Sequence, residues 1–371
     1  MNPVSLIQRS TRRFAHLLLR PNRLIRIKRF RRYQNAQGML RLAEREMREG
    51  MTTVKTRPVY MHLDSGPLCN LKCRFCCTAN GLSTLKRELL KPDVFERIVQ
   101  NLPLDSLYQV GLYNWGEPLL NPHLFQYIEF FAKRGIWTVI HTNFSAAEHD
   151  EAFMEALIRS GIGDVTASVD GATQENYEQY RVGGNLNRVL GNLRLLAETK
   201  KRMKSDTPII TYKMMLNRYN QHEIEDARKI AESIGVQFQI QEVMGTPDAE
   251  SHAAWSATRM LEKHGNTPVS SVDGVADVPV ITECRQLWDT LIVNADGAVY
   301  PCCLVYHADS AVGNLTTQYF DDIWNGEKMQ ALRQYILHCN TPAPDFAGFC
   351  STCPFRNCAY RSRKHLSNMC P

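Results

Sequence analysis

Cys69-Asn70-Leu71-Lys72-Cys73-Arg74-Phe75-Cys76 places three thiolates at i, i+4 and i+7. Thiolates are soft anionic ligands suited to iron–sulfur clusters, and three of them can hold three irons of a four-iron cluster while the fourth iron stays open. An open iron allows chemistry on a bound small molecule. A second group of cysteines follows: Cys284 and Cys302 flank Gly297, and Cys350, Cys353, Cys358 and Cys370 come later. Such C-x2-C pairs also suit zinc, and a four-thiolate zinc site is the alternative for the terminal group.

The elements that must position these residues are legible as alternation. Strand-like runs at Tyr60 to Leu63, Tyr108 to Tyr113, Trp137 to His141, Asp164 to Val169, Ile209 to Leu216 and Val236 to Val243 alternate with helical periods. The helices are expected at Lys91 to Asn101, Pro122 to Arg134, Glu148 to Ser160, Leu186 to Thr199 and Gln221 to Ile234. Six strands with crossover helices describe an α/β barrel, open or closed, whose ligands gather at the C-terminal strand ends. No glycine-rich dinucleotide fingerprint follows the first strand, which disfavours a hydride-transfer enzyme.

The triad after a first strand resembles the cluster loop of the radical S-adenosylmethionine (SAM) superfamily, over roughly residues 58 to 245. The resemblance implies a partial (β/α)6 barrel, with Cys69, Cys73 and Cys76 as ligands of a [4Fe-4S] cluster whose open iron takes SAM. Phe75 corresponds to an aromatic position near the adenine. Gly116-Glu117-Pro118 resembles the glycine-glutamate motif that contacts the methionyl ammonium, with Trp115 replacing the first glycine of the commoner form. Ser168-Val169-Asp170-Gly171 resembles the motif after the fourth strand, making Ser168 a candidate for ribose or carboxylate contact and Arg181 a carboxylate partner. Asn143 and Asn217 also stand at strand ends, where each serves equally well as a helix cap. Cys77 lies outside the pattern and reads as a small buried residue.

The C-terminal cysteines resemble the SPASM or shorter Twitch extension, a small cysteine-rich α+β domain that holds auxiliary iron–sulfur clusters. Thr290 to Val293 and Val299 to Leu304, around Asn294-Ala295-Asp296-Gly297, read as a hairpin that would bring Cys284 and Cys302 together. The full pattern has a further cysteine where Ser362 stands, and one more upstream, whereas no cysteine occurs between Cys77 and Cys284. Two arrangements follow. Either Cys350, Cys353, Cys358 and Cys370 bind one cluster while Cys284 and Cys302 recruit Cys303 or Cys339 for another, or Cys284, Cys302, Cys350 and Cys353 share a single cluster.

Composition fits a two-domain enzyme in a reducing, cytoplasmic setting: 371 residues, 44% hydrophobic, with twelve cysteines clustered like metal ligands rather than disulfides. Charge is uneven, at +10 through Gly50 within a global +6. From Ser5 to Arg32 the basic residues accompany apolar ones, as in two short amphipathic helices broken at Pro21. The expected role is a helical arm packed on the main domain. Peripheral contact with an anionic membrane, an acidic partner or a targeting role are the alternatives. Arg12-Arg13 lacks the apolar segment of a twin-arginine signal, and the rest lacks the aromatic-interleaved basic surface of nucleic-acid binders.

The boundaries expected are a basic extension at 1–57, the barrel at 58–245, a bridge at 246–280 and the cluster domain at 281–371. The resemblance implies a 5′-deoxyadenosyl radical that abstracts a substrate hydrogen, with electrons from a donor such as a flavodoxin or ferredoxin. Oxidation of a carbohydrate-like or aminocyclitol alcohol, with an auxiliary cluster accepting the electron, is the expected reaction. Modification of a peptide or protein side chain is the alternative, and outside enzymes an electron-transfer or zinc-stabilised binding protein. The sequence names no catalytic base.

Overall fold

The computed structural model describes residues 23–242, 284–338 and 341–351. Six strands lie parallel in chain order: β1 (Tyr60–Leu63), β2 (Gln109–Gly111), β3 (Trp137–Thr142), β4 (Asp164–Ser168), β5 (Ile209–Leu216) and β6 (Gln237–Glu242). The helices are α1 (Arg23–Arg48), α2 (Pro92–Gln100), α3 (Leu124–Lys133), α4 (Glu151–Arg159), α5 (Gln174–Tyr180), α6 (Leu186–Arg202) and α7 (Ile224–Ile234). This is the expected partial (β/α)6 barrel. Alternation along each strand divides its side chains between two faces. Met61, Leu63, Val110, Ile140, Val165, Tyr212 and Met214 enter the core with Phe95, Ile128, Phe131, Leu157 and Leu193 of the helices. On the opposite face Tyr60 packs against Ala36 and Leu40 of α1, and His62, His141, Thr166 and Lys213 lie toward the C-terminal strand ends, where we read a lumen.

Local chemistry fixes the helix starts. Pro92 opens α2, where a missing N–H costs nothing. Asp150 accepts from Phe153 N at 2.8 Å to begin α4, and Asn185 accepts from Arg188 N at 2.9 Å to begin α6. Helix α5 was not anticipated; its seven mostly polar residues bury only Tyr177 and Tyr180 of one face, too little periodicity to stand out.

The C-terminal region continues the same sheet. Helix α8 (Gln286–Asp289) leads into β7 (Thr290–Val293), which pairs in parallel with β1, and β8 (Ala298–Tyr300) and β9 (Gly313–Asn314) follow antiparallel. The predicted hairpin is present, with Gly297 at φ 82° in its turn, a left-handed conformation that glycine adopts without a Cβ penalty. The second half of the hairpin ends at Tyr300, so Cys302 sits in the following loop rather than in a strand. Helices α9 (Phe320–Trp324) and α10 (Glu327–Leu337) close the region, with Arg333 fully buried and donating to Leu287 O at 3.0 Å and Thr52 O at 2.8 Å.

The basic N-terminal region corrects one expectation. Instead of ending near Arg32, the helix that begins at Arg23 runs unbroken to Arg48; residues before Arg23, including Pro21, lie outside the described ones. It is a packed arm, because Ala36, Leu40, Ala43 and Met47 are buried, Arg29 lies 4.7 Å from the Trp137 ring, and Arg32 donates to the carbonyls of Leu104, Leu107 and Arg134 at 2.6, 2.9 and 2.9 Å. Among the described residues no helix is long and apolar enough to cross a membrane. Arg32→Ala removes these charge-assisted bonds and should lower stability to denaturant by about 1–3 kcal/mol. Limited proteolysis should then cut α1 earlier than in the wild type.

Candidate active site

Two loops at the C-terminal strand ends interlock. Asp64, at the end of β1, accepts from Gly66 N at 3.0 Å through one carboxylate oxygen and from Trp115 N at 3.1 Å through the other. It thereby ties the cluster loop after β1 to the loop after β2. Burial pushes this carboxyl up to about 6, against the opposing pull of the two N–H groups. Gly116 lies against the same junction: a Cβ there would fall on the carbonyl oxygen of Gly66 and within 2.8 Å of Leu68 O. Glu117 N then donates to Leu68 O at 2.8 Å.

The cluster loop presents its cysteines with polar donors aimed at sulfur. Cys73 is buried, Cys69 and Cys76 are partly so, and Cys69 feels the charge of both others. Leu71 N and Asn143 Nδ2 lie 3.5 and 3.6 Å from Cys69 Sγ, and Arg181 Nη1 lies 3.4 Å from Cys73 Sγ. Burial pushes Cys69 up to about 11 and raises Cys73, the latter opposed by Arg181. Desolvated thiols that receive N–H donors and a guanidinium suit sulfurs whose charge is delocalised into iron, so this donor set fits a cluster.

The other expected contacts surround this loop. Glu117 is buried and takes three donors: Thr142 Oγ1 at 2.6 Å, Asn143 N at 2.7 Å and Leu119 N at 3.1 Å. Its pKa is raised by burial, against those bonds. Asn143 both caps its own turn, accepting from Ser145 N at 2.7 Å, and reaches the cluster loop at Asn70 Oδ1, 3.0 Å away. Asn217 is spent on its own turn, accepting from Tyr219 N at 2.9 Å. Phe75 lies 6.2 Å from the Tyr180 ring, and Ser168 is buried at the end of β4. Arg181 pairs with Asp170, whose φ of 51° turns its other oxygen onto Met215 N at 2.5 Å. Burial disfavours the Arg181 charge, yet Asp170 and Cys73 together hold its pKa well above the usual value.

Of the described C-terminal cysteines, Cys302 and Cys303 lie in a loop that reaches the barrel beside the cluster loop. The loop after β8 is hydrogen-bonded to the segment that follows the cluster loop, through Thr84 N to Tyr306 O at 3.0 Å and Ala308 N to Thr84 Oγ1 at 2.8 Å. Trp115 Nε1 donates to Val305 O at 2.9 Å. Cys302 feels the charge of Cys284 and shares a hydrogen bond with Cys303. The hydrogen bond with Cys302 lowers the Cys303 pKa against burial, and the Gln286 amide lies 3.8 Å from the Cys303 sulfur. Cys350 is buried on the turn Asp345–Ser351, which packs against Ser310. Cys339, Cys353, Cys358 and Cys370 lie outside the described residues.

Sequence reasoning missed the lumen itself. His62, Tyr113, His141 and Lys213 are polar residues on the face opposite the helices, and Tyr113 stacks on His141 with centroids 3.9 Å apart. Polar side chains breaking otherwise apolar strands were the available signal.

The sequence matches the radical SAM superfamily over residues 63–238 and SPASM, an iron–sulfur cluster-binding domain, over residues 284–354. The chain belongs to the radical SAM enzymes and carries a SPASM domain; its cofactors are a [4Fe-4S] cluster, SAM and auxiliary iron–sulfur. GTP 3′,8-cyclase of Alkaliphilus metalliredigens is 25% identical over 230 residues, 61% of this chain and 67% of the relative. The AdoMet-dependent heme synthase of Methanosarcina barkeri is 25% identical over 172 residues, 45% of either chain. Streptococcus suis SuiB bound to S-adenosylmethionine has the same fold, with TM-score 0.57 and 13% identity over 83% of this chain and 74% of that one. SuiB is also known bound to its precursor peptide SuiA.

Gly116→Ala should force the two loops apart, lowering stability by about 1–3 kcal/mol and losing about four irons per reconstituted chain. Gly191→Ala, on α6 with open space around it, is the comparator. It should keep full iron content and gain up to about 1 kcal/mol.

Proposed function

We propose that this chain is a radical SAM oxidoreductase that removes hydrogen from a substrate held in the barrel lumen, with an auxiliary cluster as electron acceptor. The observation that supports it is the direct lacing of the loop carrying Cys302 and Cys303 to the segment after the cluster loop, through Thr84, Tyr306 and Ala308. When bound, the cluster and SAM supply a 5′-deoxyadenosyl radical that takes a hydrogen atom, and auxiliary iron–sulfur takes the remaining electron.

The chain's own residues position and shield. Arg181, between Asp170 and Cys73, suits a methionyl carboxylate, and we assign the rest of SAM to the strand-end groups Gly116, Glu117, Asn143, Ser168 and Asn217, with Phe75. In the lumen, burial lowers the His62 pKa and leaves its imidazole neutral, with Nδ1 lacking a hydrogen-bond partner. That nitrogen suits acceptance of a hydroxyl proton when an alcohol becomes a ketone. A carbohydrate-like or aminocyclitol alcohol is the substrate class we favour. SuiB, which shares this fold and is known bound to its precursor peptide SuiA, supports a second reading, a peptide side chain. Lys72, Arg74, Lys86 and Arg87 are exposed on and just after the cluster loop and suit an acidic electron donor such as a flavodoxin or ferredoxin.

Anaerobic reconstitution with iron and sulfide counts and an assay for 5′-deoxyadenosine tests the reading. About eight irons with SAM cleavage support one auxiliary cluster and about twelve support two. Cys73→Ala should abolish cleavage, and a zinc-loaded, iron-free protein inert toward SAM would overturn the reading.

A further inference from the structure

The strand register gathers one cation where nothing yet answers it. His62 pairs with Gly111, His141 with Thr166, Ser168 with Lys213 and Lys213 with Gln239, so these residues share the lumen face. Their strand neighbours Met61, Ile140, Ala167, Tyr212 and Met214 belong to the helix-packed core. Lys213 is 7% exposed, and among the described residues its ammonium has neither a hydrogen-bond nor an ion-pair partner. Asp170, whose charge reaches it, is already paired with Arg181 and bonded to Met215 N. The remaining charge acting on it, Arg181, is positive. Burial accordingly lowers its pKa to about 8, with Asp170 opposing. His141 is driven neutral by burial and by Lys213 and adds no countercharge.

We propose that Lys213 receives an anionic group of the substrate, a carboxylate or a phosphate, and so orients the substrate in the lumen beneath the cluster loop. Buried lysines are kept charged by a partner, and this lysine's partner has to arrive with the ligand. His62, Tyr113 and His141 line the face between Lys213 and Cys303, offering a neutral polar wall for the rest of the substrate. The assignment rests on reading the lumen as the substrate chamber. It narrows the carbohydrate-like class, or the peptide side chain, to one bearing a carboxylate or phosphate, and disfavours an aminocyclitol whose only charge is its ammonium. The same chemistry could come from the methionyl carboxylate of SAM, and the experiment separates these sources.

Calorimetric titration of the reconstituted full chain is the test, first with SAM, then with inorganic phosphate and with acetate added to the SAM-loaded protein. Wild type should bind at least one of the two anions. Lys213→Met should weaken that binding about tenfold, as expected for loss of one charge-assisted contact, while Lys213→Arg retains it and SAM affinity changes little. Iron content and circular dichroism check that the variants fold. A wild-type readout needs no variant: phosphate or acetate should protect Lys213 from acetylation, followed by mass spectrometry. Anion binding absent from wild type, or equal in wild type and Lys213→Met, would overturn the proposal. So would protection by SAM alone with a tenfold loss of SAM affinity in Lys213→Met, which would give the lysine to the cofactor. Failure of wild type to bind SAM would instead sink the underlying radical SAM reading.

Discussion

The contact on which the site depends is the seam between the loops after β1 and β2. Gly116 has no room for a side chain against Gly66, and Asp64 takes one N–H from each loop. Strand pairing between β1 and β2 spans only three residues, too short to fix the loops beyond it. A buried carboxylate with two backbone donors supplies that alignment in a low-dielectric setting, where each bond is stronger and misplacement costs more. Once the seam is set, Glu117 is aimed at Thr142 and Asn143, and Asn143 at Cys69. The cluster loop is therefore held through three successive strand ends.

A second constraint is sheet continuity. Because β7 adds in parallel to β1, the cluster-binding domain is an extension of the barrel's own sheet, and the loop after β8 is bonded to the segment after the cluster loop. Trp115 marks the join. Its main chain belongs to the Asp64 seam and its indole donates to Val305, so the residue that replaces a glycine of the commoner motif also fastens the auxiliary loop. In the proposed oxidation this join would keep the electron acceptor close to the substrate.

Much of this was legible in the sequence, for physical reasons. Strands β1 and β5 were readable to the residue because apolar runs end at Asp64 and Asn217, groups that stop pairing by bonding their own turns. The triad was legible because ligand spacing is local. Helix α5 was not, being short and polar, nor was the extent of α1, whose packing relies on Arg29 and Arg32 as much as on apolar residues. The lumen lysine and histidines stayed hidden because a single polar residue in a strand does not declare which face it occupies until register is known. The pairing of β7 with β1 links positions more than 200 residues apart, which no local pattern specifies.

The cluster held by Cys69, Cys73 and Cys76 should offer an open iron to SAM, and the auxiliary iron–sulfur should not respond to it. Low-temperature electron paramagnetic resonance of the reduced, reconstituted chain, before and after SAM, tests this most directly. One signal should change on SAM addition and be absent from Cys73→Ala, with the remaining signal unaltered in both. A spectrum indifferent to SAM, or a SAM-responsive signal that survives Cys73→Ala, would contradict the account.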